Sequence, residues 1–493
     1  MAFADDLFLL ANNRENAIAL LAHTEDYLSR LGMQISASKC SSFQITPTKD
    51  SWYLKDAQLR LRNGEVIPAC TADDSVTYLG GRVSPWFGIT YKHIVADMRS
   101  TFHRLRAAPL KPHQKLSLLT TYIIPHYLHK TSIAAPPITT IRAIDDEIRT
   151  IVKDILHLPA NTPNGLLYTG KRDGGLGIPK LETLAICNTL KQGILFLNSL
   201  DPVAQAVASA TQLEGRLQRM AKCIRLQWPG LTFQQIDSHK KKQKQVELNN
   251  WKSLSSKGKG AHSFANDRLG NAWLYNPRLL KPSRFLTALR LRGCVTADKV
   301  TLNKAIPQAS TKCRKCKVSQ ETLGHILGQC IHTKAQRIRR QNEIRDIVSS
   351  RLAKSTDISI IEEATLQTPE GTNLKPDLVI VNQGRVHVVD VTVRHEDGGN
   401  LTEGHRSKIE KYSSLLETLA GTIGVRAGKV LPVVVGTRGA LPESTILSLR
   451  DLGIDDRHTY ITIALTVLRS SIEVYHGFLD YDKPRRGTPQ TDT

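Results

Sequence analysis

Residues 375–393 read KPDLVIVNQGRVHVVDVTV, and this stretch decides how the C-terminal part of the chain is expected to fold. Two valine-rich runs flank the turn-forming residues 382–385, which is the pattern of a β-hairpin. Asp377 stands at the start of the first predicted strand, and Asp390 lies on the second. The two carboxylates are therefore expected to meet across the hairpin.

A helix is predicted after this hairpin, roughly over residues 403–419, with Lys408 and Lys411 one turn apart on one face. Two carboxylates and a lysine are the working parts of a metal-dependent phosphodiesterase. The carboxylates bind Mg²⁺, the metal activates water, and the lysine stabilises developing negative charge or orients the nucleophile. Spacing alone leaves a structural alternative open. In it, Asp377 is an acid at a strand start, Asp390 is a buried acid paired with a lysine, and the helix presents a solvated face. Glu362 or Glu363, on a predicted preceding helix, is a further candidate metal ligand.

Four potential metal ligands follow one another in the spacing Cys313-x2-Cys316-x8-His325-x4-Cys330. Three thiolates and one imidazole suit tetrahedral Zn²⁺, and a closed set of four protein ligands is structural because it leaves no open position for chemistry. His332 is a spare candidate that fits the spacing less well, and coincidental cysteines are the alternative. The other five cysteines are expected to be reduced thiols.

The chain has 493 residues and a formal net charge of +22, which suggests about three domains and a polyanionic partner such as nucleic acid. Residues 214–300 hold 18 Lys or Arg against 5 Asp or Glu. Bases attract phosphates and aromatic rings stack on unpaired nucleobases, so this segment is a predicted nucleic-acid surface. A solvated helix face with core aromatics is the alternative. The densest basic run comprises Lys240, Lys241, Lys242 and Lys244. The nearby aromatic residues are Trp228, Trp251, Phe264, Trp273, Tyr275 and Phe285.

Neither a membrane protein nor a secreted protein is expected. No apolar run approaches the roughly 20 residues that cross a bilayer. The first residues include the acids Asp5 and Asp6, where a signal peptide needs bases.

Asp5 and Asp6 also form the turn of a predicted strand–turn–strand over residues 2–10. Adjacent carboxylates between apolar strands are costly unless a cation such as Mg²⁺ neutralises them, although exposed turns often hold such pairs. Asn13 is the predicted N-cap of the helix that follows, and residues 58–67 show the signal of another β-hairpin.

Five short motifs, in their order and spacing, resemble the reverse transcriptase of non-LTR (LINE-type) retrotransposons. They are FADD at residues 3–6, LGM at 31–33, SKC at 38–40, YLG at 78–80 and DGGLGI at 173–178. The resemblance implies that Asp5 and Asp6 are catalytic Mg²⁺ ligands of the polymerase palm. In that family a further aspartate and the fingers lie N-terminal to this hairpin. The polymerase is therefore expected to be cut in half and inactive.

The C-terminal motifs resemble the restriction-like endonuclease of type-2 retrotransposable elements, which has the PD-(D/E)xK fold. This resemblance implies that Asp377 and Asp390 bind Mg²⁺. The usual lysine position, two residues after the second acid, is Thr392 here. The resemblance therefore places the lysine on the following helix, as Lys408 or Lys411.

The cysteine module resembles the Cys-Cys-His-Cys knuckle that precedes this endonuclease in site-specific non-LTR elements. Arg314 and Lys315 lie inside it and make it positively charged. They are predicted to contact nucleic acid, and the alternative is that the cysteine module has a purely structural role.

The expected fold is a multidomain α+β protein. Its predicted parts are the C-terminal part of a reverse-transcriptase palm (1–90), a helical thumb with a post-thumb segment (91–180), a basic helical linker (181–312), a Cys-Cys-His-Cys zinc knuckle (313–332) and an α/β PD-(D/E)xK restriction-like endonuclease (337–493).

The resemblance implies an N-terminally truncated retrovirus-related Pol protein with target DNA and element RNA as partners. Zn²⁺ is its expected structural cofactor and Mg²⁺ its expected catalytic cofactor. It is expected to act in the nucleus and to nick target DNA for target-primed reverse transcription. The alternatives are a non-catalytic nucleic-acid-binding remnant and an incomplete gene model of the full-length enzyme.

Overall fold

A computed structural model describes residues 2–3, 6–304, 306–307, 310–354, 358–368 and 371–480, which form a mixed α/β protein. The chain divides into two compact units. The first unit comprises Met1–Ala108, Leu118–Glu147 and Lys180–Asp237, and the second comprises Pro109–Ser117, Ile148–Pro179 and Ser238–Thr493. No helix within the described ranges is long and apolar enough to cross a membrane.

The strands of the first unit are short and pair in antiparallel fashion. They are β1 (Ala2–Phe3), β2 (Asp6–Leu7), β3 (Gln44–Pro47), β4 (Trp52–Lys55), β5 (Val76–Tyr78), β6 (Gly81–Ser84) and β7 (Gly88–Thr90). β1 pairs with β2, β3 pairs with β4, and β6 pairs with both β5 and β7.

Helices dominate the chain between residues 94 and 223. The helices up to that point are α1 (Arg14–Arg30), α2 (Ile94–Ala107), α3 (Pro112–Leu118), α4 (Ile124–Ala134), α5 (Ile138–Ile155), α6 (Asn164–Tyr168), α7 (Leu181–Leu197), α8 (Pro202–Ala210) and α9 (Leu213–Cys223). In the first unit, α7 and α9 bury apolar side chains against each other, among them Leu190 and Leu217.

The local sequence signals predicted the start of α1 correctly and the hairpin at residues 58–67 incorrectly. The Asn13 side chain accepts a hydrogen bond from the Asn16 N–H at 2.8 Å, which confirms the predicted N-cap. The predicted hairpin is reduced to a single bridge between Arg60 and Val66. Gln58 has a φ of 53°, and this left-handed conformation breaks the extended run where the first strand was expected to begin.

The strands of the second unit are β8 (Ile358–Glu362), β9 (Leu366–Gln367), β10 (Asn373–Leu374), β11 (Leu378–Asn382), β12 (Arg385–Arg394) and β13 (Arg426–Gly436). β9 and β10 form a small hairpin, and the other four form a sheet in the order β13-β12-β11-β8. β12 is antiparallel to β11 and parallel to β13. The remaining helices are α10 (Phe233–Lys252), α11 (Ala272–Tyr275), α12 (Pro282–Arg292), α13 (Lys299–Asn303), α14 (Leu323–Gly328), α15 (Lys334–Leu352), α16 (Asn400–Ile423), α17 (Glu443–Asp451) and α18 (Arg457–Leu479).

Both faces of the four-stranded sheet are covered. Val389 and Val391 of β12 are buried with side chains of α15, α17 and α18, whereas Val386 and Val388 are buried with side chains of α16. Because side chains alternate along a strand, Asp390 falls on the α16 face. This alternation brings a carboxylate beneath the helix that carries the two candidate lysines.

The aromatic residues of the basic segment are mostly structural. Trp251, Phe264, Trp273 and Phe285 are at most 2% exposed, so the expectation that they stack on nucleobases is wrong. The Arg292 guanidinium, itself buried, lies 3.6 Å from the centroid of the Phe264 ring. These rings are buried in the second unit because burying a large aromatic side chain is more favourable than leaving it in water on a basic surface.

Candidate metal centres

The four predicted zinc ligands converge in the second unit. Cys313, Cys316, His325 and Cys330 each offer one ligand atom, and these atoms all lie within 4.8 Å of one another. Sγ of Cys313 is 3.9 Å from Sγ of Cys330, and Sγ of Cys316 is 3.4 Å from Nε2 of His325. Tetrahedral Zn²⁺ would hold such atoms about 3.6–3.8 Å apart. The cluster could therefore hold a metal ion such as zinc, and the spare candidate His332 is not part of it.

The local backbone explains why these side chains meet. Lys317 has a φ of 61° and its N–H donates to the Cys313 carbonyl at 2.9 Å, which closes the turn between the first two cysteines. The Thr322 hydroxyl accepts the His325 N–H at 3.1 Å and caps α14. The Cys330 N–H then donates to the His325 carbonyl at 2.8 Å, which returns the last cysteine to the cluster.

The pKa values of the side chains in this cluster are shifted in different directions. A backbone N–H from Ser319 lowers the pKa of the Cys316 thiol, whereas burial raises the pKa of Cys330 to about 11. Burial also lowers the pKa of His325, which favours the neutral imidazole that metals bind. Since thiolates are the ligands, metal binding requires Cys330 to release its proton.

The basic residues of this module make structural contacts. Arg314 forms an ion pair with Glu321, whose side chain is fully buried, and the closest N–O distance is 2.7 Å. Lys315 donates to the Gly477 carbonyl at 3.2 Å and lies over the Phe478 ring. The Lys315 contacts attach the cysteine module to α18, and nucleic-acid binding by Arg314 and Lys315 stays a prediction.

The carboxylates of Asp377 and Asp390 come together at the β11–β12 hairpin. Leu378 pairs with Val389, so the preceding Asp377 lies opposite Asp390 in the same register. The Val391 N–H donates to Oδ2 of Asp377 at 2.7 Å. Burial, together with the negative charge of Asp390, raises the pKa of Asp377. A buried and a half-buried carboxylate side by side form an arrangement of like charges that a divalent cation relieves.

Lys408 is the lysine that contacts this carboxylate pair. Its Nζ lies 2.7 Å from Oδ2 of Asp390, a residue that is 3% exposed. In the part of the chain that the structure describes, this oxygen accepts no well-oriented hydrogen bond, so the contact is an ion pair. Lys411 instead donates to the Tyr412 hydroxyl at 3.1 Å.

Two further side chains reach the site without having been assigned a role from sequence. The Tyr412 hydroxyl donates to the Lys375 carbonyl at 3.3 Å, and burial together with the nearby Asp390 carboxylate raises its pKa. Nε2 of Gln341, on α15, lies 3.5 Å from Oδ2 of Asp377. Tyr412 and the buried Leu415 have the spacing of two residues on one helix face, which is the sequence pattern of core residues. No local sequence signal marks Gln341.

Glu362 and Glu363 do not extend the carboxylate pair. The predicted helix is wrong, because Glu362 ends strand β8, which pairs with β11. The Ser349 hydroxyl donates to Glu362 at 2.6 Å. Glu363 pairs with Lys375 and Arg345, and the Lys375 ammonium lowers its pKa.

The remaining predicted site residues lie apart from these clusters. Asp5 lies outside the described residues. Asp6 is exposed on β2, and within the described ranges it belongs to no group of three metal-ligating side chains. Lys240, Lys241, Lys242 and Lys244 all lie on α10, where the last three are exposed and Lys240 is half-buried.

A family model described as "L protein N-terminus" matches residues 321–471. This range begins at the buried Glu321, includes α14 to α17 and the four-stranded sheet, and ends within α18. It therefore contains both carboxylates and both candidate lysines.

The chain is also similar to curated proteins over most of its length. It is 26% identical over 446 residues to a retrovirus-related Pol polyprotein from type-1 retrotransposable element R2 of Popillia japonica, covering 89% of each chain. A second Popillia japonica protein of that description is 30% identical over 458 residues, which are 90% of this chain and 60% of the relative. The Drosophila melanogaster Pol polyprotein from type-2 element R2DM is 29% identical over 417 residues, covering 83% of this chain and 38% of the relative.

Proposed function

The homologues of this chain are Pol polyproteins of R2 retrotransposable elements, and we propose on this basis that the chain is a Mg²⁺-dependent endonuclease that nicks DNA. The reaction is the hydrolysis of one phosphodiester bond in target DNA. The exposed 3′ end would then prime reverse transcription of element RNA, and the proposed place of action is the nucleus.

One observation supports the endonuclease above all. Asp377, Asp390 and Lys408 come from a strand start, a strand interior and a separate helix, yet they form one cluster. Oδ2 of Asp390 is buried beside the Lys408 ammonium without a well-oriented hydrogen bond, and burial raises the pKa of Asp377. Both features suit oxygen ligands that are stabilised when a hard cation binds. In this proposal the sheet and its helices have the PD-(D/E)xK fold.

Each residue has a distinct role in the proposed reaction. Asp377 and Asp390 would hold Mg²⁺, which supplies an activated water and neutralises phosphate charge. The Val391 N–H orients the Asp377 carboxylate. Lys408 balances the charge of Asp390 and is placed to stabilise negative charge that develops on the cleaved phosphate.

The first unit would contribute binding more than chemistry. We propose that it derives from the palm and thumb of a reverse transcriptase, in which Asp5 and Asp6 are the palm carboxylates. Asp6 has no convergent metal-binding partners within the described residues. The activity that we propose for this chain is the nuclease, because its candidate residues converge in the second unit. The exposed lysines of α10 and the zinc module would bind DNA or RNA phosphates.

The competing function is non-catalytic nucleic-acid binding. The direct ion pair between Lys408 and Asp390 favours it, because such a pair also satisfies a buried acid in a protein with no catalytic role. Both functions predict binding that weakens with salt, with a log–log slope of about −0.9 per neutralised phosphate. Only the endonuclease predicts nicked product.

The test is conversion of supercoiled plasmid to open circles by the purified, zinc-loaded chain. We expect nicking that requires Mg²⁺ and is lost in Asp377→Ala. The matched control is Asp346→Ala, because Asp346 is an exposed acid whose side chain pairs with Arg345. If Asp377→Ala nicks as fast as the unmodified chain, the site assignment is wrong. If no form of the protein nicks, non-catalytic binding is the better description.

A further inference from the structure

A second cation lies on the same face of β12 as Asp390. Because side chains alternate along the strand, Asp390, Thr392 and Arg394 all belong to the α16 face. The Arg394 side chain passes α16 at Gly404, where a Cβ atom would lie only 2.9 Å from Arg394 Nε and 3.1 Å from its Cδ. The missing side chain at residue 404 thus creates the space that Arg394 occupies.

Arg394 is half-buried, and its guanidinium lacks a counter-charge among the described residues. In the described ranges it makes no hydrogen bond or ion pair. Glu403, which precedes Gly404 on α16, is engaged with Arg406 at 2.6 Å. An arginine that is partly removed from water and unpaired is costly, and its five N–H donors suit a phosphate or carboxylate. An anionic ligand from outside the chain would relieve this cost.

We propose that Arg394 binds a backbone phosphate of the nucleic acid held at the Asp377–Asp390 site, an inference that rests on the proposed endonuclease function. Four residues of strand separate it from Asp390, about 13 Å, while one helical turn of about 6 Å separates Gly404 from Lys408. Successive phosphates of one DNA strand advance about 3.4 Å along the duplex axis. Both separations exceed the advance per nucleotide, so the guanidinium meets a phosphate other than the one at the carboxylates.

Gly404 and Lys408 define two adjacent positions along α16. At one turn of the helix, Lys408 pairs with Asp390 next to the proposed metal ligands. At the preceding turn, Gly404 lets Arg394 pass. The turn with Lys408 would thus contact the reacting phosphate. The turn with Gly404 would let Arg394 hold the DNA strand in register, as phosphate contacts that position a nucleic acid do.

The experiment measures binding without cleavage. The full zinc-loaded chain is titrated with a short labelled DNA duplex in Ca²⁺, from about 50 to 200 mM salt. Arg394→Ala should weaken binding about tenfold and reduce the magnitude of the log–log salt slope by about 0.9. Arg394→Lys should keep most of the slope. Gly404→Ala should weaken binding with the charge unchanged, because it displaces the guanidinium.

The matched control is Arg406→Ala, which removes the same charge from an exposed arginine paired within its own helix. It should leave the salt slope unchanged, and thermal unfolding should show that every variant is folded. If Arg394→Ala binds with the affinity and slope of the unmodified chain, the phosphate contact is refuted. If the unmodified chain never nicks DNA but Arg394→Ala still lowers the slope, the proposed nuclease fails while the phosphate contact stands.

Discussion

The cysteine cluster and the carboxylate pair lie in the same unit of the chain, yet they are assembled in opposite ways. The cysteine cluster takes all four ligands from residues 313–330, and its ligand atoms point at one another. The carboxylate pair takes Asp377 and Asp390 from a hairpin, but its cation comes from α16 and Gln341 from α15. One site is local in sequence and the other exists only in the folded sheet.

This difference distinguishes the proposed structural metal site from the proposed catalytic site. Four soft or borderline donors complete the coordination of zinc and leave no room for a substrate. Two hard carboxylates, one with a raised pKa and one paired with a lysine, would leave positions for water and phosphate on a bound divalent cation. Metal at the first site should therefore affect stability, and metal at the second should affect rate.

The largest expected effect is zinc removal. A strong chelator, or Cys316→Ala, should lower the free energy of unfolding of the second unit by several kcal/mol, because metal-binding energy is folding energy at such sites. Thermal unfolding with parallel measurement of bound zinc checks this. Cys223→Ala, at an exposed cysteine outside the cluster, is the control. An unchanged melting temperature after complete zinc loss would contradict a structural role.

Lys408→Met should reduce the nicking rate about a hundredfold, the range for loss of one positioned charge or proton donor. Lys411→Met should cost far less, because Lys411 contacts the Tyr412 hydroxyl and not the carboxylates. Single-turnover nicking rates at saturating DNA measure both. A larger loss in Lys411→Met would reverse the assignment.

Tyr412→Phe should slow nicking about tenfold, as removal of a group that orients metal ligands commonly does. The hydroxyl links α16 to the Lys375 carbonyl, two residues before Asp377, and contacts Asp390. The Mg²⁺ concentration for half-maximal rate should rise, and the melting temperature should change little. If the melting temperature falls and the Mg²⁺ dependence does not move, Tyr412 is a packing residue only.

The smallest effect is a gain in stability. The raised pKa of Asp377 means that its charged form is disfavoured in the folded protein, so stability is lost as pH rises through that pKa. Without Mg²⁺, Asp377→Asn should raise the free energy of unfolding at neutral pH. The gain should vanish below the ordinary aspartate pKa. Denaturant unfolding across this pH range measures it, and a loss of stability at neutral pH would contradict the electrostatic account.

Sequence alone predicted the parts of the fold that depend on neighbouring residues. The Asn13 cap, the zinc spacing and the hairpin that joins Asp377 to Asp390 are signals of this kind, and the structure contains each of them. The choice between Lys408 and Lys411 was open because it depends on the rotation of α16 over the sheet. That rotation is set by core residues such as Leu415, which no local pattern fixes.

Long-range packing also explains what sequence misjudged. Glu362 ends a strand because its neighbours pair with β11, and isoleucine-rich runs of this length suit either a strand or a helix. The buried Trp251 and Trp273 show that aromatic residues in a basic segment need not face nucleic acid. Gln341 had no signal because a neutral side chain becomes part of the site only when α15 packs beside the hairpin.

The central claim is that Asp377 and Asp390 together bind one divalent cation. Mn²⁺ prefers the same oxygen ligands as Mg²⁺ and is visible by electron paramagnetic resonance, so titration of the zinc-loaded chain with Mn²⁺ tests the claim directly. We predict one site in the unmodified chain, retained in Asp346→Ala and lost in both Asp377→Ala and Asp390→Ala. Equal Mn²⁺ binding by all four proteins would contradict the account.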